Sequence, residues 1–164
     1  MSNKYFYYIA QKKSTSIKID DKFRLEFFNP SLFRLTRHKV GFKSLMLYFY
    51  WYILSLGKYR IVYIYDDETN NIAHYSNIIT KIYKYAFMNK GDIFVLNCYT
   101  EPKYRGCKLY PFALQEIIKS YKSYKVWGMV LETNTASLKG IAKTSFMKYS
   151  EGYKSSFFGI YKEI

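Results

Sequence analysis

Apolar and polar positions along this chain fall into short blocks whose period switches between two and about three and a half. Lys4–Ala10 (K-Y-F-Y-Y-I-A) and Phe23–Phe28 read as strands, the first followed by a polar turn at Ser14–Ser16 and the second ended by Asn29 and Pro30. Ser44–Leu56 (S-L-M-L-Y-F-Y-W-Y-I-L-S-L) is the most apolar run. It is shorter than the roughly 20 residues that span a bilayer, so a helix packed across a sheet is expected. Trp51 and the flanking Lys43 and Lys58 would also suit a membrane interface. Lys58–Tyr65 and Ile72–Ile79 form a predicted hairpin around D-D-E-T-N-N, and Thr80–Gly91 is a connection.

Asp92–Thr100 is a nearly continuous apolar run rich in β-branched and aromatic residues, the pattern of a strand buried on both faces. After the turn E-P-K-Y-R-G-C-K, Ala113, Leu114, Ile117, Ile118 and Tyr121 recur at helical spacing. V-W-G-M-V-L (126–131) is a further strand, and Leu138, Ile141, Ala142, Ser145 and Phe146 form a helical stripe with Asn134 as its N-cap. The tail from Lys148 alternates as a last hairpin turning near Gly152. This alternation predicts a single α/β domain over residues 1–164, with a mixed sheet of about six or seven strands and three or four helices.

A strand, a basic glycine-containing turn and a helix together make an anion site. The first amides of a helix lack intrahelical partners and lie at its positive end, Lys103, Arg105 and Lys108 add full charges, and Gly106 lets backbone approach a ligand. Composition points the same way. The 26 Lys and Arg outnumber the 12 Asp and Glu, a net charge of +14 that predicts attraction to CoA, nucleotide sugars, lipid phosphates or nucleic acid without choosing among them. Two cysteines and two histidines exclude a disulfide scaffold and argue against a metal site. Cys98 reads as a small apolar filler. The N-terminal residues do not have the pattern of a signal peptide, so a reduced cytoplasmic location is expected, extending to the inner face of the membrane.

The two halves together resemble the GNAT superfamily of acyl-CoA-dependent N-acetyltransferases, whose pattern is P-x-Y-R-G-x-G-x-G/A after a strand, then N-x-x-S/A with K-x-G-F nine residues beyond the Asn. This chain reads P-K-Y-R-G-C-K-L-Y from Pro102 to Tyr110, followed by Asn134, Ser137, Lys143 and Phe146. It departs at Lys108 and Tyr110, where the family has small residues, at Ser145, where it has glycine, and at Ile141, where many members carry a tyrosine proposed as general acid. The resemblance implies a GNAT-like sheet whose parallel strands, ending at Thr100 and Leu131, splay to admit pantetheine. It implies acetyl-CoA as co-substrate, held by Tyr99, Thr100, Arg105, Gly106, Cys107, Lys108, Leu109, Tyr110, Asn134, Ser137 and Lys143, with no metal. It further implies transfer to a primary amine by direct attack.

For proton handling, His74 has a suitable ordinary pKa on a strand beside the central pair, Glu132 ends a strand next to Asn134, and Tyr149 or Tyr110 could act as acids. The basic, aromatic surface and the look of H-Y-S followed by Y-T-x-P-x-Y-R-G-x-x-L-Y-P suggest, by analogy with acetyltransferases of bacterial surface-polysaccharide synthesis, an amino sugar on a nucleotide or lipid carrier. Peripheral membrane contact and a homodimer are compatible with this reading. Two other classes stay open: a polyanion or nucleic-acid-binding module, distinguished by salt-dependent binding to single strands without CoA affinity, and an inactive GNAT-like domain acting at a membrane surface or on a partner.

Overall fold

The computed structural model describes residues 3–11, 16–154 and 160–163, excluding the side chains of 162 and 163. In chain order the elements are β1 (Lys4–Ala10), β2 (Phe23–Phe28), α1 (Phe42–Leu54), β3 (Arg60–Asp66), β4 (Asn71–Thr80), β5 (Ile93–Thr100), α2 (Leu109–Ser120), β6 (Val126–Leu131), α3 (Thr135–Ile141), β7 (Phe146–Lys154) and β8 (Tyr161–Glu163). They form the expected α/β architecture, one mixed sheet in the order β2-β3-β4-β5-β6-β1-β7-β8. The three-residue β8 is an edge strand beyond the seven expected. Every neighbouring pair is antiparallel except β5 and β6, which run parallel. That crossover is made by α2, as a parallel pair requires.

Each sheet face carries its own apolar cluster. On one, Leu109, Ala113, Leu114 and Ile117 of α2 and Ile141 of α3 pack with Val62, Ile64, Ile78, Val95 and Val130. On the other, Tyr48 and Trp51 of α1 pack with Tyr59, Ile61, Tyr63 and Ile79, while Tyr7, Phe94 and Trp127 extend the same cluster. The central strands are therefore apolar on both faces, but β5 meets the expectation of double burial only at Ile93–Val95, and Leu96–Thr100 are half-buried or exposed.

Two local expectations are corrected. The helical stripe drawn through Phe146 ends at Ile141, and Phe146 opens β7 instead, still buried beside Ile141 in the same cluster. Gly152 lies inside β7, paired with Tyr5 and Glu163, so the last hairpin turns after Lys154, outside the described residues. The polar turn at Ser14–Ser16 also falls largely outside them. The apolar helix α1 buries Tyr48 and Trp51 against the sheet, with Tyr50 and Tyr52 partly covered, and most of its other side chains face outward.

Pairing between β5 and β6 covers only Ile93↔Val126, Phe94↔Trp127 and Val95↔Gly128. At the start of the pair, buried Asp92 accepts hydrogen bonds from Trp127 Nε1 at 2.7 Å and from the Asn89 amide at 2.9 Å, tying the strands together. Just past the last pair, β5 carries a bulge. Tyr75 opposes Tyr99 and Asn77 opposes Leu96, so β5 holds one residue more than β4, and Asn97 sits at φ +46°. Asn tolerates that left-handed backbone better than most residues, and a bulge bends its strand. The strands are pinned at one end and diverge at the other.

Candidate active site

The divergence opens a slot of about 180 Å³ between Leu96–Cys98 and Gly128–Leu131, closed from above by Tyr110, Leu114, Asn134, Ser137 and Ile141. Beyond Val95 and Gly128 the facing edges of β5 and β6 are no longer paired with each other, which leaves room for a ligand able to extend the pairing.

Beside the slot lies a cavity of about 460 Å³ walled by the end of β5, the turn into α2, and α3. The turn is placed by a buried anchor: Tyr104 donates to Asp66 Oδ2 at 2.6 Å, and that hydrogen bond holds the Asp66 carboxyl below its usual range. Gly106 follows at φ +91° with open space where a Cβ would stand, and Lys108 at φ +60° is the N-cap of α2 without any side-chain cap. The first amides of α2 are therefore left to the cavity rather than to a capping side chain. Arg105, Lys108, Lys139 and Lys143 line it with no carboxylate, and none of the four forms a salt bridge among the described residues. Asn134 caps α3, its Oδ1 accepting from the Ser137 amide at 3.1 Å. That cap orients the helix carrying Lys139 and leading to Lys143.

Tyr110, where small residues would leave space, does not fill this corner. Its ring lies against Gly140, so close that a Cβ there would approach Cδ1 at 2.4 Å, and it borders both the slot and the cavity. Cys98 also borders both. Burial pushes its thiol up to about 12.

The cavity thus collects Tyr99, Thr100, Arg105, Gly106, Lys108, Leu109, Tyr110, Ser137 and Lys143, while Asn134 lines the slot. Cys107 is exposed on the turn and lines neither. Lys139 and Gly140 also line the cavity, although no motif in the sequence marks them as site residues. The three-residue spacing from Ala136 through Lys139, which puts both on one face of a helix, was the available signal.

The proton-handling candidates are dispersed. His74 is buried, with Nδ1 2.7 Å from Thr100 Oγ1 and Nε2 2.8 Å from Ser76 Oγ. Desolvation pushes its pKa down to about 3, so the ring stays neutral near pH 7. Glu132 is exposed and 3.7 Å from Lys4 Nζ. Tyr149 is exposed and sits edge-on to Trp127, a member of the cluster on the other sheet face. Neither lines the slot or the cavity.

On that other face a groove of about 240 Å³ runs along Tyr75, Tyr99, Glu101, His38 and Lys39, with His74 also in its lining, and touches the first cavity's wall at Tyr99. It continues past His38, Lys39 and Ile72 into a wider basic groove lined by Arg24, Arg34 and Arg37. The basic 34–43 stretch thus supplies a wall. His38 is fixed there, stacked on Tyr75 at 4.0 Å, with Nδ1 2.9 Å from Tyr63 Oη and Nε2 3.0 Å from Tyr48 Oη. Among the described residues no group of three or more His, Cys, Asp or Glu could hold a metal ion.

Neither a protein-family profile nor a curated protein matches the chain. Solved structures do. An acetyltransferase of the GNAT family from Colwellia psychrerythraea aligns over 91% of this chain and 53% of its own, at TM-score 0.64 and 12% identity. A GCN5-related N-acetyltransferase from Sphaerobacter thermophilus aligns over 92% and 50%, at TM-score 0.63 and 10% identity. A tandem GNAT protein from the clavulanic acid biosynthesis pathway aligns over 92% and 51%, at TM-score 0.61 and 12% identity. The chain therefore has the GNAT fold and spans about half the length of these proteins.

Proposed function

We propose that this chain, built on the GNAT fold, is an acetyl-CoA-dependent N-acetyltransferase acting on a primary amine. The observation that carries the reading is continuity. A cavity at the start of α2, rimmed by Arg105, Lys108, Lys139 and Lys143, none of them in a salt bridge among the described residues, lies beside a slot where β5 and β6 no longer pair with each other, and its wall at Tyr99 is shared with a groove on the opposite sheet face. The donor set suits CoA: α2 amides with Arg105 and Lys108 for the diphosphate, Lys139 and Lys143 for further phosphate charge, and Asn134 and Ser137 beside the slot for pantetheine. When bound there, acetyl-CoA supplies a thioester-activated acetyl group.

The chain's own groups then divide the remaining tasks. In this reading the acetyl group passes directly to the acceptor, and Cys98, whose thiol is held protonated by burial, is not used as a nucleophile. His74 has both nitrogens engaged and stays neutral, which suits it to orient Thr100 at the meeting point rather than to collect a proton. Glu101 is the one carboxylate bordering the smaller groove, and we assign it the task of accepting the ammonium proton. The acceptor is an amino sugar carried on a nucleotide or lipid phosphate, its ring meeting Tyr75 and Tyr99 and its phosphate meeting Arg34 and Lys39.

The test has two parts. CoA at 100 times its dissociation constant should stabilise the protein by about 2.7 kcal/mol in a thermal melt. Absence of binding up to millimolar CoA by calorimetry would overturn the assignment. With an accepted amine in hand, Glu101→Gln should lower kcat far more than His74→Ala does. The reverse pattern returns the base role to His74.

A further inference from the structure

Of the sixteen large apolar or aromatic side chains that stand exposed among the described residues, eight lie between Phe42 and Leu56. They are not scattered. Phe42, Leu45, Met46, Phe49 and Ile53 recur at three- and four-residue spacing along α1, and Leu56 continues the stripe just beyond its end. The residues that α1 buries, Tyr48 and Trp51, lie on its opposite side, against the sheet. A stripe of this spacing ordinarily faces a core. Here it faces away from one, with Phe42 77% and Leu56 85% exposed.

The surrounding charge is of one sign. Between Glu26 and Asp66 the chain has no acidic residue, while Lys39, Lys43 and Lys58 flank α1. From the neighbouring connection, Lys84 lies 5.0 Å over the ring of Tyr50, whose hydroxyl bonds that of Tyr83 at 2.9 Å. An apolar stripe edged by lysines and tyrosines complements a layer that is hydrocarbon inside and negatively charged at its surface. A second copy of this chain is a poor occupant, because it would set the same acid-free surface against itself. No helix among the described residues is long and apolar enough to cross a membrane.

We propose that the outward stripe of α1 docks this protein on an anionic lipid bilayer, with α1 lying in the interface and Lys43, Lys58 and Lys84 meeting lipid phosphates. Docking has a consequence for the groove. Tyr48 of α1 holds His38 through its hydroxyl, and Lys39, two residues before the N-cap Gly41, lines both parts of the groove. A bilayer under α1 would therefore bring lipid headgroups near the acceptor groove, which favours a lipid-borne acceptor over a free nucleotide sugar. Docking itself does not depend on CoA or on acetyl transfer.

The experiment is co-sedimentation of the full chain, without CoA, with vesicles of phosphatidylcholine alone and of phosphatidylcholine containing about one-quarter phosphatidylglycerol. Binding is expected to the anionic vesicles and to weaken as salt rises. Phe42→Ser and Leu56→Asn should each lower the partition coefficient about ten-fold, and Lys43→Glu and Lys58→Glu each by at least about five-fold. Lys122→Glu, on the turn after α2, should change it far less. Leu56 stands at φ +52°, where Asn is well tolerated, so that variant should keep the native melting temperature. Three results would overturn the proposal: no partition to either vesicle, equal partition to both, or a dimer in solution that Phe42→Ser and Leu56→Asn dissociate.

Discussion

Replacing Gly140 with alanine tests the least expected contact in the site. In most helices that change stabilises by about 0.5–1 kcal/mol, because glycine loses more backbone freedom on folding. Here the added Cβ would stand 2.4 Å from Cδ1 and 2.7 Å from Cε1 of Tyr110, about 1 Å inside ordinary contact. Tyr110 is in the first turn of α2, with the His74 ring centroid 6.2 Å from its own, so the ring must move into the cavity or α3 must move off α2. Overpacking of this kind costs about 1–3 kcal/mol. In a Tyr110→Ala background the obstacle is gone and the ordinary helical gain should return. Gly140→Ala should thus destabilise the native protein and stabilise the Tyr110→Ala protein, a coupling of about 2–3 kcal/mol. Urea denaturation of the four proteins measures it. The same set followed by the CoA-induced shift in melting temperature reports the cavity: Gly140→Ala should reduce the shift only while Tyr110 is present. If Gly140→Ala has the same sign in both backgrounds, Tyr110 does not pack on α3 as described.

Other expectations follow from single contacts. Lys108→Gly should relieve a left-handed lysine and raise stability by up to about 1 kcal/mol, while calorimetry shows weaker CoA binding from the lost charge. Asn134→Ala removes the hydrogen bond to the Ser137 amide and should cost about 1 kcal/mol in urea denaturation, with reduced CoA affinity as the α3 wall loosens. The folded pKa of His74 lies below its ordinary 6.5, so folded and unfolded chains are both neutral there above pH 6.5 and the group adds no pH dependence. As pH falls from 6.5 toward 3 only the unfolded chain takes up the proton, and stability drops, by about 2 kcal/mol from this group at pH 5. His74→Gln should flatten that part of a stability-versus-pH curve; an unchanged slope would show that His74 is not held neutral. Burial also depresses His38, which adds to the acid slope in the same direction.

Much of this was readable in the residues themselves. The buried front of β5 was legible in its apolar run, α2 and the front of α3 in helical spacing, and the basic turn before α2 in Pro102 to Gly106. These are local signals, since backbone sterics and nearest neighbours dictate them. The boundaries that failed did so where a tertiary partner overrode local period. Phe146 kept its place in the stripe's cluster after the helix had ended, because burial beside Ile141 can be met equally from a strand. Gly152 reads as a turn residue but pairs with Tyr5 across the sheet.

Only the folded chain decides how distant segments meet. The slot depends on Asp92 gripping Trp127 and on an extra residue at Asn97, neither of which has meaning until β5 and β6 lie side by side. Tyr110 is harmless to the cavity because Gly140, thirty positions later, makes room for its ring. His74 is an ordinary histidine in the sequence and a neutral, doubly bonded one in the structure, because desolvation and the reach of Thr100 and Ser76 are set by packing. The apolarity of α1 is written in its letters, but which half of it the sheet covers is decided by three-dimensional closure, and the uncovered half gives the helix a surface still to be buried.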